Sequence, residues 1–292
     1  MTILRSLLFV PGNTPRMLER ALGLRPDAFV PDLEDSVPWD EKANARSVTA
    51  SYLERLAATG RPVIPRVNSK DTGLLEEDLA AMVGLHIFGV SVGKIDSPAD
   101  VDEVARLLQR LELRAGLAIG AIKLVPWIES AMAIVNVYDI CASDDRIVGV
   151  AFGGEDFTND MEIERRDDDR ELAYPRSAIA IAARAAGVQA LDTPFFAFRD
   201  PEGLRENSHG SRGHGFRGRF AIHPAQIDII NQVYSPSEAE VEHARRVIAA
   251  FEEAAQQGRG STSLDGKVVD VPVVKRAQAL LDLAEATRGE AD

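Results

Sequence analysis

A chain of 292 residues with 45% hydrophobic side chains has room for one large α/β barrel or two smaller domains around a substantial core. Its net charge of −13 argues against nucleic acid or an anionic membrane as main partner, yet leaves an anionic small ligand open, because local arginines outweigh a global sign. A single cysteine, Cys141, excludes an intramolecular disulfide, and no apolar run approaches the ~18 residues of a membrane span, so a soluble cytoplasmic protein is expected.

Residues 6–10 read as a first strand closed by Pro11-Gly12, and Thr14-Pro15 starts a helix. Residues 28–30 begin a second strand that exits in Pro31-Asp32-Leu33-Glu34-Asp35-Ser36, before a helix over about residues 40–55. Residues 62–65 are a short third strand exiting in Arg66-Val67-Asn68. Residues 87–92 are the fourth, exiting at Gly93-Lys94, and Ser97-Pro98 caps the next helix. Residues 121–128 are the fifth and end in Glu129; Cys141 falls in the following helix as a core residue. Residues 146–151 are the sixth, leading into Phe152-Gly153-Gly154-Glu155-Asp156-Phe157, where two glycines turn the backbone and two carboxylates arrive together. The charged run 162–171 reads as a solvated loop, or as a lid. Residues 187–191 are the seventh strand, exiting in Asp192-Thr193, and residues 219–222 the eighth, exiting in His223-Pro224.

Eight apolar, rarely alternating strands separated by helices predict a parallel sheet buried on both faces and closed into a (β/α)₈ TIM barrel over residues 1–232. Residues 233–292 form a helical and hairpin extension: a long amphipathic helix over about 238–256, a flexible break at 257–263, a turn at Asp265-Gly266 and a last helix. The extension is too small to stand alone and is expected to pack on the barrel or a neighbouring subunit.

In such a barrel the active site forms at the strand exits, where Glu34, Arg66, Lys94, Glu129, Asp156, Asp192 and His223 stand. Glu129 and Asp156 leave neighbouring strands about 30 residues apart and can meet at one point. Two ionised carboxylates side by side need a cation or proton between them; a hard divalent ion, Mg²⁺, leads, with helix capping or salt bridging as the alternative. Arg66 either contacts substrate or pairs with Glu34 or Asp35. Gly12 and Asn13 offer backbone N–H groups to a carboxylate, or simply cap a helix. His223 is a ligand contact or a structural helix start. Arg205, His209, Arg212, His214, Arg217 and Arg219 cluster amid glycines, as a flexible basic stretch for phosphates or as a solvated loop.

Together these segments resemble the citrate lyase beta-subunit-like family, which includes malyl-CoA and citramalyl-CoA lyases, Mg²⁺-dependent barrels of the pyruvate and phosphoenolpyruvate superfamily. The resemblance runs through residues 5–12, 32–37, Arg66-Val67-Asn68, Ile128-Glu129-Ser130, residues 152–156 and 215–226, and Val269-Asp270-Val271-Pro272, in the family's order and over almost the whole chain. It implies a lyase splitting a 3-hydroxyacyl-CoA dicarboxylate into acetyl-CoA and an α-keto acid, working as a homotrimer or larger homo-oligomer. It implies Glu129 and Asp156 as metal ligands, and Arg66, Glu34 and Asp270 as the catalytic set, with Asp270 delivered from an adjacent subunit. Arg66, Lys94, Gly12, Asn13, Arg217 and His223 are implied in binding substrate or coenzyme A. Thioester hydrolysis, a subunit of a citrate lyase complex and a CoA-ester binding barrel without turnover are the alternatives. Two departures bear on the acyl pocket: Gly93-Lys94-Ile95-Asp96 stands where the family commonly has Pro-Lys-Val-Glu, and Pro31 replaces an aliphatic residue.

Overall fold

The computed structural model describes residues 2–166 and 168–288; Met1, Asp167 of the charged run and the last four residues lie outside the described residues. Eight parallel strands close into a barrel in chain order: β1 (Ser6–Pro11), β2 (Ala28–Asp32), β3 (Arg66–Val67), β4 (Gly89–Val92), β5 (Lys123–Ile128), β6 (Gly149–Phe152), β7 (Gln189–Asp192) and β8 (Gly218–Ala221). β8 returns to β1 with Leu7 opposite Phe220 and Leu8 opposite Ala221. Between and after the strands come α1 (Pro15–Ala21), α2 (Lys42–Ala57), α3 (Leu75–Met82), α4 (Pro98–Arg114), α5 (Ala131–Val135), α6 (Val137–Cys141), α7 (Gly154–Asp160), α8 (Ala173–Ala186), α9 (Pro201–His214) and α10 (Ile227–Tyr234). This is the α/β TIM barrel expected from the alternation of apolar runs.

Several strands start or end one to four residues from the sequence expectation, and two of these differences have a clear local reason. Pro62 and Pro65 have no N–H, so residues 62–65 are extended but make only scattered ladder bonds, such as Ile64 N to Phe29 O at 2.8 Å, and regular pairing begins at Arg66. Gly187 belongs to the end of α8, where its φ of 77° closes the helix, and β7 starts two residues later.

The described chain divides into two compact units, residues 4–231 and residues 232–288 with residues 2–3. The second holds α11 (Glu238–Gln256), an antiparallel hairpin of β9 (Thr262–Leu264) and β10 (Lys267–Val269), and α12 (Val271–Arg288). Ser237 and Glu240 form a reciprocal cap on α11, and Asp265 and Gly266, both at positive φ, make the hairpin turn. Part of the expected flexible break is therefore strand. Ala244, Val247, Val269 and Ala277 are the buried core of this unit. Among the described residues no helix is long and apolar enough to cross a membrane.

Inside the barrel, Leu7, Ala28, Val30, Ile64, Val125, Trp127, Ala151, Leu191 and Phe220 pack as one cluster with Phe9 against it. Side chains of a strand alternate between faces, so the residue two places past the last core position also points inward, at the C-terminal rim. Those residues are Asp32, Arg66, Glu129, Gly153, Thr193 and Ile222. The residues one place out of phase face the surrounding helices instead. Asp192 and Arg219, partners in the β7–β8 register, are fully buried and ion-paired with each other, and Asp192 also meets Arg176 at 3.2 Å. Burial alone would raise the Asp192 carboxyl; Arg219 and Arg176 outweigh it and hold it at about 2. Asp192 is thus not a residue of the mouth, and Arg219 is not available to a phosphate. Replacing Arg219 by Met leaves the buried Asp192 with the Arg176 charge and the Ser211 hydroxyl, and is expected to cost about 3 kcal/mol, read as a lowered thermal midpoint.

Candidate active site

The floor of the C-terminal mouth is aromatic. The rings of Phe9 and Phe220 lie 5.0 Å apart, and those of Trp127 and Phe220 4.6 Å apart. The Arg66 guanidinium rests on this floor, 4.5 Å from the Phe9 ring centre and 5.8 Å from that of Trp127. Asp32 holds it in a fork, with Nε to Oδ1 and Nη2 to Oδ2 both at 2.7 Å. Asp35 accepts from Nη1 at 2.9 Å, and Glu34 Oε2 lies 3.3 Å away. Asp32, 1% exposed, also accepts from the backbone N–H groups of Glu34 and Ser36, which folds the β2 exit around it. Burial would raise the Asp32 carboxyl; the Arg66 charge and these bonds hold it below its ordinary value.

Glu129 follows the last residue of β5. It is buried, and its Oε1 accepts from Lys94 N at 2.6 Å. A Cβ added at Gly93 would lie 3.1 Å from Glu129 Oε1 and 3.1 Å from Glu34 Oε1, so the two carboxylates flank one small space that a side chain at 93 would crowd. A Cβ at Gly153 would lie 2.5 Å from Glu129 Oε2; that glycine lets β6 pass against the carboxylate. Asp156 stands exposed in the first turn of α7. A cavity of about 290 Å³ opens at the mouth, lined by Phe9, Asp32, Asp35, Arg66, Trp127, Gly153, Asp156 and Phe196 among others, with Glu34 and Glu129 outside its lining. A larger groove of about 550 Å³ lies along α8 and α9, but the converging charges are here.

The acids of the mouth are short of positive charge. Burial, then the charges of Asp156 and Glu34, push the Glu129 carboxyl up to about 8. Burial, with Asp35 and Asp32 acting against the relief from Arg66, raises Glu34 to about 7. Asp156 is raised by partial desolvation and by Asp35. Among the described residues no three or more His, Cys, Asp or Glu side chains form a ready-made metal cage. An all-oxygen, carboxylate-poor donor set with open positions suits Mg²⁺, which keeps several waters and binds through one or two carboxylates.

The sign of the proton linkage gives a test. A carboxyl raised from 4.5 to about 8 keeps its proton in the folded protein, so cation-free stability falls as pH rises from about 4.5 through 8. Below pH 8 an incoming cation must displace that proton, and Mg²⁺ affinity is expected to weaken by about tenfold per pH unit on going down. Calorimetric titration at about pH 6 and about pH 8.5 checks the slope; a flat profile would remove Glu129 from the ligand set.

Several residues expected at the site make other contacts. Gly12 N donates to Asp32 O at 2.8 Å, and a Cβ there would meet Thr49 Oγ1 at 2.5 Å, so this glycine packs β1 against β2 and does not present its N–H to a substrate. The Asn13 Oδ1 accepts from Thr14 Oγ at 3.2 Å. His223 caps the helical turn at 224–226, its Nδ1 accepting from Ala225 N at 3.2 Å, and its ring stacks on Phe198. Arg217 precedes β8, at the end of the barrel opposite Glu129; a four-residue strand puts about 13 Å between the two rims. The basic residues Arg205, His209, Arg212 and His214 lie on α9, an ordered helix capped by Asp200 and ended by Gly215, not on a flexible loop. Desolvation and the neighbouring positive charges of Arg184 and Arg212 lower the Arg217 guanidinium, so these arginines lie near one another.

Asp270 belongs to the second unit, where its Oδ1 accepts from Val273 N at 3.3 Å and starts α12. Cys141 is 2% exposed and burial pushes its thiol up to about 12, which makes it a core residue and not a nucleophile. The charged run is pinned and not simply solvated: Arg165 bonds Glu155 and Asp169, and buried Asp169 meets Arg176 at 2.9 Å. Asp32, the fork beneath Arg66, was given no role from sequence. Its phase with Ala28 and Val30 was the available signal.

A parallel α/β barrel whose strand exits bring a guanidinium and charge-starved carboxylates into one mouth has the layout of the TIM-barrel enzymes, whose active sites form at that face. The chain belongs to the HpcH/HpaI aldolase/citrate lyase family, whose model matches residues 5–224. It is 39% identical over 282 residues to the citrate lyase subunit beta of Leuconostoc mesenteroides subsp. cremoris, covering 97% of this chain and 93% of that protein. It is 38% identical over 282 residues to a (3S)-malyl-CoA thioesterase of Cereibacter sphaeroides, covering 97% and 95%. The crystal structure of CitE from Mycobacterium tuberculosis in complex with magnesium, acetoacetate and coenzyme A matches with a TM-score of 0.80 at 29% identity, over 97% of this chain and 98% of that one.

Proposed function

We propose that this protein is a Mg²⁺-dependent lyase that splits a 3-hydroxyacyl-CoA dicarboxylate of the malyl, citramalyl or citryl type into acetyl-CoA and an α-keto acid. The observation that supports this best is Arg66 on its aromatic floor beside Asp156 in one cavity, with Glu34 3.3 Å from the guanidinium and Glu129 facing Glu34 across Gly93. Glu129 and Asp156 would hold Mg²⁺, which when bound supplies Lewis acidity toward an α-hydroxy acid. Arg66 is kept charged and planar by Asp32, while its Nη1 is held only by exposed Asp35 and by Glu34. A substrate oxygen takes the place of Asp35 there, and Arg66 then stabilises the enolate oxygen of the departing thioester. The aromatic floor keeps water from beneath that oxygen. Glu34, facing Glu129 across Gly93, orients the groups on that side. Asp270, contributed by an adjacent subunit of a homotrimer or larger assembly, is the proposed acid or base at the acetyl carbon.

Asn caps a helix about as well as Asp, so Asp270→Asn preserves the start of α12 and removes only the ionisable group. Turnover is expected to fall about 10²-fold with KM changed only a few-fold. Unchanged turnover in steady-state assay would take Asp270 out of the mechanism.

A second reading, hydrolysis of the same thioester, is favoured by the 38% identity to the thioesterase. Purified protein with Mg²⁺ and malyl-CoA, followed for glyoxylate and free thiol, separates the two. Glyoxylate without thiol supports the lyase and thiol supports the hydrolase. Neither product overturns both and leaves a subunit that works only within a larger complex.

A further inference from the structure

Two ionised carboxylates repel, so a pair offered to one cation keeps its spacing only where the chain around it is held. Around Glu129 and Asp156 it is held at both ends. On one side Gly153 N donates at 3.1 Å to the carbonyl of Ile128, the residue before Glu129. On the other, the Asp160 carboxylate accepts from Ala131 N at 2.7 Å. Glu129 thus lies between the anchor points Ile128 and Ala131, and Asp156 between their partners Gly153 and Asp160. Residues 128–131, residues 153–160 and the two hydrogen bonds close one ring, and both proposed ligands belong to it.

The position of Asp160 does nothing for its own helix. It is the last residue of α7, where unpaired carbonyls and the helix dipole disfavour an acid. It is also exposed, so no need to fill the core places it there. The group it completes is the start of α5: Asp160 takes Ala131 N, while the Ser130 hydroxyl takes Ala133 N at 3.0 Å. Asp160 follows Asp156 by four residues, so the two acids share one face of α7. The β5 exit is in turn fastened to the β4 exit. Lys94, at φ 55°, turns its N–H onto Glu129 Oε1 at 2.6 Å, while its Nζ lies 3.7 Å from Asp71 Oδ2. The Ser130 hydroxyl donates to Asp96. With Glu129 fixed from that side, the bond from Asp160 is what ties the helix of Asp156 to it.

We propose that Asp160 is a positioning residue: by tying α7 to the start of α5 it sets the separation of Asp156 from Glu129, and with it the size of ion the pair accepts. This rests on the reading of Glu129 and Asp156 as the ligands of that ion. Mg²⁺ demands short oxygen contacts in near-ideal octahedral geometry, whereas Ca²⁺ takes longer contacts in looser arrangements. A pair held in place suits the smaller ion, and a pair free to relax apart still serves the larger one.

The test is calorimetric titration of Mg²⁺ and, separately, of Ca²⁺ into substrate-free protein. Asp160→Ala is expected to weaken Mg²⁺ binding about tenfold and Ca²⁺ binding by no more than about twofold, so the preference for Mg²⁺ falls about fivefold. Asp160→Asn keeps an oxygen for Ala131 N and is expected within about twofold of the wild type for both ions. A cap that only stabilised α5 would lower the melting midpoint of cation-free Asp160→Ala and leave the ratio of the two affinities where it was. A ratio in Asp160→Ala that stays within about twofold of the wild type's, or moves toward Mg²⁺, overturns the inference and leaves the ligand assignment standing. So does an Asn variant that behaves as the Ala variant does. No Mg²⁺ binding to the wild type overturns both.

Discussion

Glu129→Gln is expected to abolish calorimetric Mg²⁺ binding and to lower turnover about 10³-fold, the several kcal/mol that a Lewis acid contributes to a developing oxyanion. The substitution is nearly isosteric. Its carbonyl oxygen still accepts from Lys94 N, and the side chain still fits between Gly93 and Gly153. What disappears is the charge and the proton. A signature in stability accompanies the loss in rate and has the opposite sign. The wild-type carboxyl, held at about 8 by burial and by Asp156 and Glu34, opposes folding once it ionises. Above that pH the cation-free Gln variant is therefore expected to melt higher than the cation-free wild type, while gaining nothing from added Mg²⁺. A variant that melts lower than wild type at about pH 9 in the absence of Mg²⁺ would mean that Glu129 is held as a structural hydrogen-bond acceptor and not poised for a cation.

The residues that were legible in sequence share a physical property: they lie in phase with an apolar strand core and two places beyond it. Arg66 follows Ile64, and Glu129 follows Trp127, so an eight-strand alternation was enough to bring them to one rim. The same phase condemns Asp192, which follows Leu191 by one place and so faces the helices, where Arg219 and Arg176 neutralise it. The partner of Arg66 was harder. Glu34 and Asp35 are nearer the loop tip and looked like natural counter-charges, yet the fork is made by Asp32, because only the last strand residue has a fixed backbone from which to aim both oxygens. The glycines of residues 203–215 suggested a flexible stretch, but Asp200 and Pro201 at the start and Gly215 at the end are helix punctuation, and the caps outweighed the low propensity of the interior. Residues 62–65 read as a strand, yet Pro62 and Pro65 lack N–H groups, and regular pairing begins only at Arg66.

Arg66→Lys is expected to lower turnover about 10³-fold, even though the charge is kept. The reason is geometric. A lysine ammonium cannot form the two parallel bonds to Asp32, cannot stack flat on Phe9 and Trp127, and cannot present a further N–H edge toward Asp35 at the same time. It either stays down with Asp32, leaving nothing for the substrate oxygen, or rises to the substrate and leaves a fully buried carboxylate half paired, at a cost of about 3 kcal/mol. Asp35→Asn separates these roles. Asp35 is 70% exposed and touches only the outer edge of the guanidinium, so its loss does not disturb the fork. If the substrate takes over that edge, Asp35→Asn lowers KM or leaves it unchanged and preserves turnover, and the Lys variant is not rescued by it. A fall in turnover in Asp35→Asn comparable to that of Arg66→Lys, measured in the same assay, would place the essential contact at Asp35 and put Arg66 in a supporting role.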